Sequence, residues 1–438
     1  MIVLLTFAVY LFTGCDNSNS GSNVHPPPSP PPTGNVIGIG TAAQLDDVRN
    51  GLGGNYRLTA NISLSSYGVW EPIGSIYAPF MGSIDGNGYA ITGLTVETGR
   101  TESYAGLFGY VEGGVIKNLA LENVDVNGRI YSGAIAGYMK NSTILNSSST
   151  GHIYGDTAGG IVGGAENGVI EDSYSTVSVY GEWDAGGLAG YTYKSRMENC
   201  LSAGDIYADK GNAGGIAGYL GGGIITNCGS EGDIDGLTAG GITGTVLGGT
   251  ISYSDSIGYI YGAVDAGGIA GYVDDDSVIT DSFSTGDVFA RDNAAGGIAG
   301  YIWGGRIEYC FSEGYIDGYQ AGGIAGYAEN NIIYYCDGVG GVYGELDAGG
   351  IAGTLVYGRI EDCFNEGDID GYHAGGIAGT MHDSTIIDCV NEGDVYAVWD
   401  AGGIVGSVYG YSEILYSSSY GFIHSDSGRA GYTWGSRY

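Results

Sequence analysis

The glycine-rich heptapeptide AGGIAGY occurs four times, at 213–219, 266–272, 295–301 and 321–327, in a chain of 438 residues. Glycine-rich loops cradle phosphates when a strand precedes them, a long helix follows and a Lys-Ser or Lys-Thr pair closes them. No copy has those neighbours, so the nucleotide-loop reading fails. Two other sets of residues carry possible chemistry. Cys200, Cys228, Cys310, Cys336, Cys363 and Cys389 could pair or hold metal, and a long series of Asp and aromatic residues could bind sugars, cations or calcium.

What positions these residues is a repeat. With the large apolar residue of each glycine motif as a ruler, Leu107 to Ile404 mark twelve units spaced 26–29 residues apart, with a mean of 27. So constant a period means stacked units. Each unit reads AGGIAGY, a short turn, an IxxC-like segment, a small polar residue, then GDIDG or GYIYG. Such short runs rich in Ile, Val and Tyr, bounded by Gly, Asn and Asp, are strands. The fold expected is therefore all-β, a parallel β-solenoid of about 12–13 coils. At ~4.8 Å per coil it is a rod about 60 Å long. No proline follows Pro79, as a continuous hydrogen-bond ladder requires. In strand alternation the anchor points inward, the next Ala outward and the following Gly inward. Ahead of the coils, TAAQLDDVRNGL predicts a short helical cap, with Thr41 and Gln44 as a capping box and Leu45, Val48 and Leu52 on one face.

The ruler sorts the reactive residues into columns. Each of the six cysteines falls twelve residues after its anchor, where other coils have Ser147, Ser173 or Ser254. Parity points this column inward, with a bend just before it near Asn199, Asn227 or Asp362. Cβ atoms stacked one strand apart exceed disulfide geometry, and CxxC zinc spacing is missing, so the thiols are packing. The outward columns flank an inward aliphatic residue. Before it stand Asp205, Asp233, Asp287, Asp368 and Asp394; after it stand Tyr207, Asp235, Tyr261, Phe289, Asp317, Tyr343, Asp370 and Tyr396. This interleaved stripe offers ring faces to sugars and carboxylates to hydroxyls or cations. Stacked carboxylates suggest Ca²⁺, but charges ~5 Å apart in water repel by only about 1 kcal/mol, so no ion is required and no cofactor is assigned. A second outward column, Tyr138, Tyr191, Tyr219, Tyr272, Tyr301 and Tyr327, could stiffen the rod by ring stacking.

Composition sets the surroundings. There are 49 acidic and 14 basic residues, a net charge of −35, which repels nucleic acid and anionic lipid. Glycine supplies 87 residues, yet 43% of the chain is hydrophobic, which argues against disorder. The opening MIVLLTFAVYLFTGC reads as an export signal, too short to anchor in a bilayer. LFTGC resembles the bacterial lipobox, which implies lipidation at Cys15. The organisation expected is a signal peptide over 1–14, a Ser/Asn/Pro-rich tether over 15–34, an N-terminal cap over 35–80, the solenoid over 81–425 and a C-terminal cap over 426–438.

The repeat, together with YRLTANISLSSYGVWEPIG, FMGSIDGNGYAITGLTV and AGLFGYVEGGVIKNLALENV, resembles the GLUG-motif repeats of bacterial surface proteins over residues 36–410. That resemblance implies solenoid segments of adhesins and large secreted proteins, some with a separate metallopeptidase domain. The HExxH signature of such a domain is absent around His25, His152, His373, His382 and His424. Catalysis needs a constellation that breaks the repeat at one coil. Arg196, Arg306 and Arg359 instead each begin the same RxExC phrase, a surface ion-pair motif. The expectation is a non-enzymatic, lipid-anchored surface protein that binds or displays an extracellular glycan or protein, with a plain stalk and a polysaccharide-active β-helix as its alternatives.

Overall fold

The computed structural model describes residues 34–98, 103–431 and 433–437. The signal peptide, Cys15 and all but the last residue of the tether lie outside them. From Gly34 onward the chain forms an all-β parallel solenoid of about 14 turns, ~27 residues each, with one short α-helix near its start. Its strands line three parallel sheets of 15, 30 and 13 strands. The turn count exceeds the 12–13 read from the glycine motif for a simple reason. Val36–Ile39 already pairs in register with Asn55–Leu58, and Asn55–Leu58 with Ser83–Asp85, although none of these turns carries AGG.

One coil shows how sequence becomes wall. Ala217–Gly221, Ile224–Thr226, Gly229–Ser230 and Ile234–Gly240 follow one another around the turn. Each pairs with the segment 26 residues on, so Ile225 stacks on Ile251 and Ile234 on Ile260. Like on like, these residues join one continuous core running from Ile39 to Val408.

The expected bend before the cysteine column is present. Asn199, Asn227 and Asp362 adopt φ of 55°, 52° and 52°, the left-handed region where Asn and Asp are tolerated best. Their side chains form a ladder of their own: Asn227 Nδ2 donates to Asn199 Oδ1 at 2.7 Å, and Asn199 Nδ2 to Asp172 Oδ1 at 3.1 Å. The left-handed turn leaves one buried N–H without a ladder partner, while the nearby carbonyl already accepts a ladder bond, as Glu361 O does from Tyr335 N at 3.2 Å. The next residue satisfies the N–H and gives the carbonyl a second donor: Cys363 Sγ accepts from Cys336 N at 3.4 Å and donates to Glu361 O at 3.2 Å. Ser254 does the same with Ser252 O at 2.9 Å and Cys228 N at 3.2 Å. This shared role explains why Ser and Cys alternate in the column, and all six described thiols are free and buried.

The AGG and IAG arms depart from simple alternation. The Ala after each anchor, expected outward, is fully buried at Ala189, Ala217, Ala270 and Ala325. The chain reverses at the anchor, so the two arms and the neighbouring coil meet backbone to backbone. A Cβ on Gly218 would lie 2.7 Å from Gly190 O and 2.9 Å from Ala185 N. Only glycine permits that approach.

At the N-terminal end, Ala42–Asp46 forms the expected helix. Thr41 Oγ1 accepts from Gln44 N at 3.3 Å, and Gln44 Oε1 accepts from Gly40 N at 2.9 Å. Leu45 and Val48 are buried against the first turns, with Leu52 packed at the edge.

Two stability predictions follow from this geometry. Gly218→Ala should cost about 1–3 kcal/mol by urea denaturation, since backbone must move, whereas Gly53→Ala, with open space around it, should stay within about 0.5 kcal/mol. Cys363→Ser keeps both hydrogen bonds and should fall within about 1 kcal/mol of the parent, while Cys363→Ala strands the buried Cys336 N–H and should cost about 1–3 kcal/mol.

Candidate functional site

All thirteen residues of the expected stripe lie on the solvent side of one wall, exposed or half-exposed. The structure divides them into two columns with different work. In the first, each carboxylate reaches along the axis to a backbone N–H of the next coil. Asp205 Oδ1 accepts from Asp233 N at 3.3 Å, Asp233 Oδ1 from Tyr259 N at 3.1 Å and Asp287 Oδ1 from Tyr315 N at 2.9 Å. Asp368 and Asp394 repeat the contact with Asp394 N and Phe422 N at 3.0 and 2.7 Å. These acids hold the coils in register where the ladder skips a bond.

The second column carries no such duty. Its register runs Tyr180, Tyr207, Asp235, Tyr261, Phe289, Asp317, Tyr343, Asp370, Tyr396, one residue per coil. At its upper end the rings close on one another: Tyr154 and Tyr180 stack at 4.9 Å, 7° from parallel. Tyr207 then tilts 49° away from Tyr180, and Asp235 breaks the stack. The missing ring leaves a hollow of about 470 Å³ between Tyr180 and Tyr207 on one side and Tyr259 and Tyr261 on the other. Asp205, Asp233 and Asp235, with Ile206 and Ile234, complete its lining. Burial among the rings raises the Asp235 carboxyl above its ordinary range. Asp317 and Asp370 are raised chiefly by the same loss of water, with lesser contributions from Glu345 and Asp426.

Tyr180 and Tyr259 belong to the hollow although the stripe read from sequence omits them. The signal was present, since Tyr180 lies 27 residues before Tyr207 and Tyr259 lies 26 after Asp233, on the same two columns.

The second tyrosine column is half-buried and self-paired. Tyr191 stacks on Tyr219 at 5.1 Å, Tyr272 on Tyr301 at 5.4 Å and Tyr301 on Tyr327 at 4.8 Å. Ring faces that cover one another are not available to a ligand. Behind them runs a column of buried carboxylates that sequence reading missed, because it lies just ahead of the AGG arm, outside the parity argument. Asp347 accepts from Thr354 Oγ1 at 2.7 Å and Thr380 Oγ1 at 2.6 Å. Asp265 accepts from Asn293 Nδ2 at 2.7 Å and Ala294 N at 3.3 Å, yet burial pushes its carboxyl up to about 6.

One cluster in this column has the residue types of a hydrolase. Ser407 Oγ lies 3.0 Å from His373 Nδ1 and donates to Asp400 Oδ2 at 3.1 Å, and Asp400 Oδ2 is 3.6 Å from the same Nδ1. A relay needs the acid and the nucleophile on opposite ring nitrogens. Here they share one, and Ser407 and Asp400 are buried, so the arrangement is a packing network. The RxExC phrases form the surface pairs expected of them, Arg306–Glu308 at 3.4 Å, Arg359–Glu361 at 2.6 Å and Arg196 with Glu198. Among the described residues, no three His, Cys, Asp or Glu side chains converge to hold a metal ion.

Known proteins resemble one turn of this solenoid in sequence and its architecture in structure. The family described as the GLUG motif matches residues 155–180, the span of one turn. Residues 155–180 carry the GLUG motif. A protein of Evansella cellulosilytica described as a Gly-rich membrane protein is 47% identical over 92 residues, 19% of this chain and 10% of the relative. Halomucin of Haloquadratum walsbyi is 35% identical over 115 residues, 23% of this chain and 1% of that much longer protein. Similar solved structures include a Bacteroides ovatus chain described as an immunoglobulin A1 protease, at 22% identity and TM-score 0.39, covering 68% of this chain and 77% of that one. PfbA, a surface adhesin of Streptococcus pneumoniae, aligns at 10% identity and TM-score 0.36, covering 86% and 88% of the two chains.

The raised Asp265 carboxyl makes stability depend on pH in a stated direction. The folded chain keeps this proton up to about pH 6 while the unfolded chain releases it near 3.8, so stability falls as pH rises through that window. Asp265→Asn keeps both acceptor contacts and removes the charge. It should stabilise the protein by on the order of 1–3 kcal/mol at pH 8 and leave it nearly unchanged at pH 4, measured by denaturant titration at both pH values.

Proposed function

We propose that this chain is an adhesin-like surface module that binds an extracellular glycan on its aromatic and acidic wall, and that it performs no chemistry on it. The observation that carries this reading is the hollow at Asp235, where the aromatic column opens beside Tyr207 and Tyr261. Four tyrosines and three carboxylates in its lining supply ring faces for the apolar side of a sugar and acceptors for its hydroxyls. The self-satisfied state of the Ser407, His373 and Asp400 cluster supports a role without catalysis. Export, and tethering through a lipid on Cys15, rest on the N-terminal sequence. A tether of the Ser/Asn/Pro type would hold the solenoid away from the membrane.

The test is the triple variant Tyr207→Ala, Tyr261→Ala, Tyr396→Ala on a glycan array and in whole-cell binding. These side chains lie at the surface, so the melting temperature should shift by only a few degrees. Binding should fall about tenfold or more, corresponding to about 1.4 kcal/mol. Unchanged binding would remove the wall as the site and leave a plain stalk.

A further inference from the structure

The hollow holds a charge that nothing in the protein balances. Asp205 and Asp233 each give an oxygen to a backbone N–H of the next coil, but among the described residues Asp235 makes no side-chain hydrogen bond or ion pair. The lining includes no Lys, Arg or His. Arg291, beyond the rim, meets the Tyr261 hydroxyl, but its charge is already matched by Asp292, bound in a fork at 2.7 and 3.1 Å. The lone carboxylate therefore stands among the rings of Tyr180, Tyr207, Tyr259 and Tyr261 without a counter-ion.

A carboxylate framed by aromatic rings is a receptor for an organic cation. The ring quadrupoles attract the positive charge, the carboxylate supplies the opposite one, and partial exclusion of water strengthens both. The spacing adds a size. Tyr207 and Tyr261 are two coils apart, about 9.6 Å at the strand spacing of ~4.8 Å, which leaves room for one ring at ~4.8 Å from each. A second tyrosine in place of Asp235 would fill that room, as Tyr180 does beside Tyr154. The same aromatic–Asp–aromatic succession returns at Phe289, Asp317, Tyr343 and again at Tyr343, Asp370, Tyr396. The chain's net charge of −35 adds a field that gathers cations along the whole wall.

Resting on the glycan reading above, we infer that the ligand is an amino sugar with a free, protonated amine, its ring between Tyr207 and Tyr261 and its ammonium on Asp235. An N-acetylated sugar of the same shape lacks the charge, and the slot distinguishes the two.

The experiment is isothermal titration of the full chain, near neutral pH, with a β-linked glucosamine tetramer and with its fully N-acetylated counterpart. The free amine should bind about tenfold tighter or more, and added salt should reduce that advantage. Asp235→Asn should cut the preference several-fold while leaving the acetylated oligomer unchanged, and Asp235→Ser, read beside it with a thermal melt, should do the same. Equal binding of the two oligomers, or a preference that both substitutions leave undiminished, overturns the amino-sugar inference and leaves the glycan reading standing. Binding of neither oligomer, with the array negative as well, overturns both.

Discussion

The structure depends on one contact, the meeting of peptide backbones at the glycine arms. Side chains normally keep sheets about 10 Å apart. Where the two arms of AGGIAG fold onto each other, that separation collapses to van der Waals contact between main chains, as the space around Gly218 records. This close approach reverses the chain within a few residues in every turn that carries the glycine motif. The register in which the other columns of those turns are stacked follows from it. The abundance of glycine is therefore a geometric demand of the corner.

Much of this was legible because the repeat converts position into direction. Counting from the anchors placed the cysteines inside, the stripe outside and the bend at Asn199, Asn227 and Asp362. What counting missed has physical causes. The first turns carry the ladder without the glycine corner, so the ruler did not register them. The Ala after each anchor is buried because the arms cover each other, a tertiary effect that strand alternation does not contain. The buried acids Asp265 and Asp347 escaped notice because Asp ahead of AGG alternates with Asn, Thr and His along the chain, and only the fold shows that these share an enclosed column.

The candidate site was half legible. Composition and parity identified a wall of acids and rings, but not that its two columns differ. One column of acids is spent on backbone N–H groups, and the other is free to face a ligand. The hollow arises where an Asp stands between coils that present Tyr, an interruption of the rings that recurs at Asp317 and Asp370.

The separation of inner and outer faces has an evolutionary consequence. Every coil touches mainly the coils beside it, and its stability is set by residues that point inward or run through the corner. The residue at the Tyr207 or Asp235 position enters none of those contacts. A point mutation there edits one letter of an outward text while the spine that prints it is untouched, and duplication of a coil lengthens the text by one letter. Lineages that inherit such a scaffold can drift in what they recognise without first crossing a folding barrier.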